Sequence, residues 1–230
     1  MTIIQTLKNL GATAHLHDDG SVTTSGLPTY GGDNKAVHHL LTHVKTIAAT
    51  FWAFAAHKHD GTVITWGDPR DGGDSKTVQH LLINITAIFT NKFAFAALKT
   101  DGTVITWGNP DCGGNSSAVK YLLINVKTIT ATAGAFAALK TDGTVITWGH
   151  PEDGGDSNPV QHLLTDVTTI TSNDGAFAAL KSDGTVVTWG NPVYRGDSSA
   201  VQKDLMNIQT ISAKLYGFIA IKADGSLISW

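Results

Sequence analysis

The sequence predicts an all-β protein, a β-propeller of about six short blades with three strands each. Three observations support this prediction: a recurring segment, a constant period, and a turn signal inside the segment. The segment AFAALKTDGTVITWG occupies Ala135–Gly149 and recurs unchanged at Ala94–Gly108. Close variants lie at Ala53–Gly67 and Ala176–Gly190, and weaker copies at Ala12–Gly26 and Gly217–Trp230.

The glycines of the Asp-Gly pairs give the repeat one fixed period. They stand at Gly20, Gly61, Gly102, Gly143, Gly184 and Gly225, so every step is 41 residues. A constant period of this length is typical of solenoids and propellers. We therefore expect a single domain, 1–230, built from repeats at about 2–43, 44–84, 85–125, 126–166 and 167–207 and a partial repeat at 208–230.

Each copy of the segment is predicted to form a β-hairpin. Apolar runs flank Asp142-Gly143, and Asp-Gly is a preferred pair for a type I′ turn, in which both central residues have positive φ. The strand before the turn is apolar on both faces, which predicts burial on both sides. Another alternating stretch, Val126 to Ala131, precedes the hairpin, so each repeat should supply three strands.

The tail between one hairpin and the next repeat allows two interpretations. In the third repeat it covers Gly108–Asn125, where Pro110 and Gly113-Gly114 indicate a loop. After this loop the chain is compatible with a short helical turn capped by Asn115-Ser116, or with a fourth short strand. The blade number lies within the usual range of about 4 to 8 for a closed ring. An open β-solenoid is the alternative, and it would leave edge strands exposed.

Composition excludes several classes of function. Charged residues make up 15% of the chain against about 25% in typical domains, and the net charge is −3. No Lys/Arg run is present, so we expect no nucleic-acid partner. No run of about 18 apolar residues exists, so we expect no membrane span. The N-terminus lacks the basic and apolar regions of a signal peptide, which favours a cytoplasmic or non-classically secreted protein. Cys112 is the single cysteine, so no intrachain disulfide can form.

The pattern DG-x-V-x-x-WG, followed by Gly-Gly in units of about 40 residues, resembles the repeat of the regulator of chromosome condensation. It is more similar to the short three-strand version in the bacterial β-lactamase inhibitory proteins of the same superfamily. The resemblance covers nearly the whole chain and implies a β-propeller with functional loops at one end.

The sequence also departs from that family. It has fewer repeats than the family's usual number of blades, Phe95–Leu98 and Phe136–Leu139 lack the family's histidine, and the family's Gly-Gln-Leu-Gly is reduced to Gly-Gly. The family's activities include guanine-nucleotide exchange on a small GTPase and enzyme inhibition. Neither activity can be assigned to particular residues here, because the contact loops do not match.

Most recurring residues are interpreted as structural. The turn aspartates stand where the turn needs them, and a second acidic column is expected to form turns and caps rather than a calcium site. The recurring tryptophans are expected to pack in the core. The alternative is that their rings are exposed and stack on sugar rings. These columns are Asp33, Asp74, Asn115, Asp156 and Asp197, and Trp66, Trp107, Trp148, Trp189 and Trp230.

Histidine is the remaining candidate for metal binding. His39 and His43 are four residues apart and would share one face of a helix, as zinc ligands can. The column of His39 also holds Tyr121 and Lys203 in other repeats, so we predict no metal site. The sequence contains no catalytic motif that stands apart from the repeat, and we predict neither catalytic residues nor a cofactor.

Two loop columns vary most between repeats, and they supply the candidate binding residues. The first column lies between the first and second strands, and the second follows the Trp-Gly pair. Aromatic residues in loops are typical of binding hot spots. The alternative is that they fold back over a blade edge or reflect surface variation. The candidates are Phe51, Trp52, Phe93 and Tyr216 from the first column, and Tyr30, Arg70, Tyr194 and Arg195 from the second.

The sequence therefore favours a non-enzymatic binding module that engages a protein partner through loops at one end of the propeller. The alternative is a multivalent carbohydrate-binding lectin with sites between blades, because near-identical repeats would offer equivalent sites and avidity. A guanine-nucleotide exchange activity is a more remote alternative. The sequence does not predict the oligomeric state.

Overall fold

A computed structural model describes all 230 residues. The chain forms six three-stranded antiparallel sheets, and the strands of each sheet are ordered as in the sequence. Each sheet comes from one repeat and is called a blade here, numbered 1 to 6 along the chain. The prediction of an all-β protein with three strands per repeat is confirmed.

The chain divides into two compact units, Met1–Ser116 and Ser117–Trp230. Blades 1 to 3 belong to the first unit and blades 4 to 6 to the second. The strands of the first unit are β1 (Ile3–Lys8), β2 (Ala12–His17), β3 (Val22–Gly26), β4 (Val44–Ala49), β5 (Ala53–Lys58), β6 (Val63–Gly67), β7 (Ile85–Thr90), β8 (Ala94–Lys99) and β9 (Val104–Gly108). Those of the second unit are β10 (Val126–Ala131), β11 (Ala135–Lys140), β12 (Val145–Gly149), β13 (Val167–Ser172), β14 (Ala176–Lys181), β15 (Val186–Gly190), β16 (Ile208–Lys214), β17 (Gly217–Lys222) and β18 (Leu227–Ser229).

The tails contain short helical turns and no fourth strand, which decides between the two interpretations of the sequence. A proline begins the first turn of each tail, where its missing N–H costs no hydrogen bond. The 3₁₀ turns are Pro28–Tyr30, His38–Leu40, Gln79–Leu81, Pro110–Cys112, Lys120–Leu122, Pro151–Asp153, Gln161–Leu163 and Pro192–Tyr194. Pro69–Gly73 is the corresponding turn of blade 2, and it is kinked because Asp71 and Gly72 have non-helical φ/ψ.

The hairpin turn differs from the predicted type I′ turn. Gly143 has φ of +79°, but Asp142 has no positive φ. The Gly143 N–H donates to the Lys140 carbonyl at 3.1 Å, and the Lys140 N–H donates to the Thr144 carbonyl at 2.9 Å. This is a type I turn followed by a left-handed glycine, the three-residue loop with a G1 bulge.

The Asp142 side chain explains why this turn is preferred. Its carboxylate accepts hydrogen bonds from the Thr144 N–H at 3.0 Å and from the Thr144 hydroxyl at 2.6 Å. These bonds form while Asp142 keeps a negative φ, so only the glycine has to be left-handed. They also hold the pKa of Asp142 below its usual value.

The core of each unit is built from one contact between successive blades. Phe54 and Trp66 are partners across the β5–β6 ladder, and their rings stack with centroids 5.4 Å apart. They pack in one buried cluster with Ala12, Ala14 and Leu16 of blade 1. The alanines on the receiving face leave room for the two rings.

The tryptophan also ties its blade to the preceding tail by a hydrogen bond. The Trp66 indole N–H donates to the Gly31 carbonyl at 3.0 Å. The same bond joins Trp107 to Gly72 in the first unit and Trp189 to Gly154 in the second, both at 3.1 Å. The tryptophans of blades 2 to 5 are only 3–4% exposed, so their interpretation as core residues is confirmed.

Blade 1 lacks these aromatic residues on the corresponding face. Thr13 and Ser25 stand 41 residues before Phe54 and Trp66, and His15 replaces an alanine. Ala12, Ala14 and Leu16 face blade 2, so the face of blade 1 that points away from blade 2 is polar.

A buried polar chain fastens the tails of blades 2, 4 and 5 to the third strands of those blades. In blade 2 the Thr65 and Ser75 hydroxyls are 2.9 Å apart, and Ser75 donates to Gln79 Oε1 at 2.7 Å. The Gln79 side-chain N–H then donates to the Val63 carbonyl at 2.9 Å. The tail is thus held by specific bonds and is not a free linker.

A buried histidine in blade 2 predicts a pH-dependent stability. His57 is 4% exposed and stands where four of the other five repeats have leucine. Its Nε2 donates to the Ile85 carbonyl at 2.8 Å. Burial lowers the pKa of His57 below its usual value of 6.5, although the hydrogen bond opposes this. The unfolded chain therefore binds the proton better. The free energy of unfolding should be fully retained above pH 6.5 and should fall as the pH drops from there toward the lowered pKa.

Urea unfolding between pH 5 and 8 checks this prediction. In His57→Leu the loss of stability at low pH should be smaller than in the wild type. The control is Leu139→Val, a change at the same position of blade 4 that alters packing but no titratable group, so it should lower stability equally at every pH. Equal pH profiles for His57→Leu and the wild type would contradict the assignment.

Candidate functional site

The two variable loop columns of each blade lie together in the structure. A polar side chain that opens the loop between the first and second strands bonds to a carbonyl in the turn after Trp-Gly. This bond recurs in five blades: Asn9 to Tyr30 at 2.7 Å, Thr50 to Asp71 at 3.1 Å, Asn91 to Cys112 at 2.6 Å, Thr132 to Asp153 at 2.9 Å and Asn173 to Tyr194 at 2.8 Å. We call the edge formed by these two loops the variable rim of a blade.

In the first unit the rim carries a stacked aromatic pair. Tyr30 of blade 1 and Trp52 of blade 2 have ring centroids 4.4 Å apart and an interplanar angle of 24°. Gly11 leaves the space for Tyr30, because a Cβ there would lie 2.7 Å from Tyr30 Cγ. Both rings are half-buried, so they fold partly over the blade edge and still present surface to solvent.

A second aromatic pair lies on the rims of blades 2 and 3. Phe51 and Phe93 meet edge to face with centroids 6.1 Å apart. The Lys92 ammonium lies 5.5 Å from the centre of the Phe51 ring, within the range of a cation–π contact. Backbone bonds join the loops, because the Leu10 N–H donates to the Phe51 carbonyl at 3.3 Å and the Phe51 N–H to the Lys92 carbonyl at 2.8 Å.

The rim of blade 2 also contains Asp71, whose backbone carbonyl accepts the hydrogen bond from Thr50. Burial raises the pKa of Asp71, and a hydrogen bond with Asn109 partly offsets the effect. Its neighbour Arg70 is exposed and takes no part in the aromatic contacts. The first-unit rim therefore combines four half-buried rings with an ammonium group and a partly buried carboxyl group.

The rims of blades 5 and 6 repeat the aromatic arrangement within the second unit. Tyr194 and Tyr216 stack with centroids 5.6 Å apart, and Gly175 leaves room for Tyr194. Tyr216 is 61% exposed. Arg195 has φ of +65° at a position where most repeats have glycine, and with Tyr216 and Lys214 it lines a cavity of about 430 Å³.

The structure thus brings together most of the predicted site residues in two groups. Tyr30, Phe51, Trp52 and Phe93 form the first group, and Tyr194, Arg195 and Tyr216 form the second, whereas Arg70 joins neither set of ring contacts. Sequence reasoning missed Lys92 and the exposed Leu10. The polar column at positions 9, 50, 91, 132 and 173 was the available signal that the two loops meet. The role of these residues in binding stays a prediction.

The aspartates of the second acidic column cap turns, as expected. Asp33 and Asp74 each accept the N–H of the residue two positions later at 2.9 Å, and Asp156 and Asp197 do the same. His39 lies in a 3₁₀ turn, while His43 has φ of +56°, so the two do not share a helix face. No group of three or more His, Cys, Asp or Glu side chains is arranged to hold a metal ion.

Comparison with known proteins finds likeness at the level of structure. No protein-family model and no curated protein sequence matches the chain. Yeast RCC1 (Prp20) in its complex with Kap60 matches with a TM-score of 0.59 and 17% identity, over 99% of this chain and 69% of that one. This chain has an RCC1-like β-propeller repeat fold.

Two further structures support the RCC1-like fold. Prp20p from Saccharomyces cerevisiae matches with a TM-score of 0.56 and 16% identity, over 99% of this chain and 71% of that one. Human WBSCR16 matches with a TM-score of 0.56 and 14% identity, over 100% of this chain and 76% of that one. The resemblance seen in the sequence is confirmed for the fold. No helix has the length and apolar character needed to cross a membrane.

The contact of Tyr30 with Gly11 predicts a measurable coupling. Gly11→Ala should displace the Tyr30 ring and destabilise the protein, because the added Cβ would overlap the ring. In a Tyr30→Ala background the same change should cost little. The expected coupling free energy is about 1 kcal/mol, within the range measured for residues in direct contact.

Urea unfolding of the wild type, the two single variants and the double variant gives this coupling. The matching cycle with Gly175→Ala and Tyr194→Ala should give a similar value, since the contact is repeated there. Additive effects in both cycles would show that the glycines do not position the tyrosine rings.

Proposed function

We propose that this chain is a non-enzymatic protein-binding module that engages its partner through the first-unit variable rim. The observation that supports this proposal most directly is a group of half-buried aromatic rings on loops that differ between repeats: Tyr30, Phe51, Trp52 and Phe93. Large aromatic residues with partly accessible faces are the side chains that dominate binding energy in protein interfaces.

The rings are held in place before a partner arrives. Tyr30 and Trp52 stack on each other, and the loops are fixed by the bonds from Asn9 and Thr50. Ordering side chains on binding costs about 0.5–1.5 kcal/mol for each flexible group. A pre-ordered rim avoids part of this cost, which supports a binding role for the rings.

Structural neighbours supply precedent for protein partners on this fold. The structure of yeast RCC1 (Prp20) shows it bound to Kap60, and Prp20p has binding properties toward Gsp1p and histones. Sequence identities of 14–17% support a shared fold but not a shared partner, so these partners are not assigned to this chain. For the same reason we do not extend nucleotide-exchange activity to it.

The lectin alternative has less support. Its equivalent sites would need tryptophan faces open to sugar rings, whereas the tryptophans of blades 2 to 5 are 3–4% exposed. The variable residues also differ from blade to blade, which favours a single asymmetric partner over repeated glycan sites.

Photo-crosslinking tests the proposal while the partner is still unidentified. A benzophenone amino acid at Leu10, which is 61% exposed beside Phe51, should capture a specific protein from a lysate. The same group at Tyr121, which is 86% exposed and lies outside the rim, is the control. Capture by both positions alike would argue against a site at the rim.

The captured protein then allows a quantitative test. Trp52→Ala combined with Phe93→Ala should raise the Kd by about 30-fold or more, because truncating a hot spot costs about 2 kcal/mol. Tyr216→Ala changes an exposed ring of the second unit and should leave the Kd unchanged. An unchanged Kd in the Trp52/Phe93 double variant, measured by calorimetry with purified proteins, would refute the proposal.

A further inference from the structure

A groove in the second unit lies apart from the first-unit variable rim. It runs along β15, between the tail of blade 4 and the tail of blade 5, and its volume is about 800 Å³. Pockets of this size are typical of ligand sites. Its apolar surface comes from Pro151, Leu163, Val187 and Pro192.

All charged side chains that line this groove are acidic. Glu152 and Asp156 lie on the wall from blade 4, and Asp197 lies on the wall from blade 5. No lysine, arginine or histidine lines the groove. A ligand with positive charge would therefore meet three carboxylates and no repelling group.

The corresponding aspartates in the first unit already have their own cations. Lys35 pairs with Asp33 at 3.4 Å, and Lys76 pairs with Asp74 at 3.3 Å. In the second unit Asn158 and Ser199 stand at the positions of these lysines. Asp156 and Asp197 therefore keep the turn-capping bond but lack the neutralising lysine.

Buried hydrogen bonds fix the position of the groove walls. The buried Thr188 hydroxyl donates to Ser198 at 2.9 Å, and Ser198 donates to Gln202 at 2.8 Å. Gln202 then donates to the Val186 carbonyl at 3.0 Å, which fixes the blade 5 tail against β15. Ser157 and Gln161 form the same chain of bonds in the blade 4 tail. Both walls are therefore held by specific hydrogen bonds, so a ligand needs no rearrangement to enter.

We propose that this groove binds an extended basic peptide segment in which lysine or arginine alternates with apolar residues. The apolar side chains contact Leu163, Val187 and the prolines, and the cationic groups pair with Asp156 and Asp197. An extended peptide places successive side chains on opposite sides, so its apolar residues can face the floor while its cationic residues point outward, where the long side chains reach the exposed Asp156 and Asp197. None of the first-unit rim residues lines the groove, so this site is independent of the function proposed for that rim.

Fluorescence anisotropy with a labelled heptapeptide, KLKVKLK, tests the proposal on the full chain. The peptide should bind the wild type, and the affinity should fall as salt is raised because charges are screened. ELEVELE, in which glutamate replaces lysine, should not bind. Spermidine should bind at least tenfold more weakly than KLKVKLK, because it cannot use the apolar floor.

Matched variants locate the site. Asp156→Asn combined with Asp197→Asn should weaken binding about tenfold, the scale of two exposed ion pairs. Asparagine keeps the capping oxygen and already occupies this position as Asn115, so the fold is preserved. The control, Asp33→Asn combined with Asp74→Asn, should leave the affinity unchanged, because those carboxylates are already paired.

A reciprocal variant tests the missing lysine directly. Ser199→Lys restores the residue type found two positions after Asp74 and should weaken KLKVKLK binding by pairing with Asp197 internally. The proposal is overturned by any of three results: no peptide binding at 1 mM, equal losses in the two double aspartate variants, or spermidine binding as tightly as the peptide.

Discussion

The structure depends on one contact, in which the paired aromatic rings of a blade pack on the alanine face of the blade before it. In blade 3 the Phe95 and Trp107 rings stack 5.0 Å apart, and they share a buried cluster with Ala53 and Ala55 of blade 2. The Trp107 indole bond to Gly72 fixes the distance between the two repeats. Each interior blade has an aromatic pair on one face and alanines on the other. Repetition of the same contact therefore builds each unit from interactions between neighbouring blades.

This constraint separates the residues that must stay constant from those that can vary. A strand residue such as Ala55 is buried on both sides, so a larger side chain there would displace a ring. A loop residue such as Trp52 meets no such limit, because the bond from Thr50 to Asp71 already holds the loop. The rim therefore varies in chemistry on a backbone of constant geometry, which is the arrangement that binding loops on a rigid scaffold require.

Sequence alone predicted the strands well, because period and apolar pattern are local properties. It failed at the hairpin turn, since a type I′ turn and a type I turn with a bulge both place Gly143 in the left-handed region. The site was predicted only in part. Tyr30 and Trp52 belong to different repeats, so no local pattern reveals their stacking. The Lys92 contact and the acidic groove depend on three-dimensional neighbours in the same way.

The way these turns are capped explains why the residue two positions after the capping aspartate can differ between near-identical repeats. In blades 1 and 2 the capping aspartate bonds to the backbone N–H of the lysine two positions later, and the lysine side chain adds only an exposed ion pair. Such a pair contributes little to stability. Replacing the lysine by Asn158 or Ser199 keeps the cap and changes the surface charge. The repeat can therefore acquire an acidic groove in the second unit, where Asn158 and Ser199 replace the lysines, while the interblade contact stays the same.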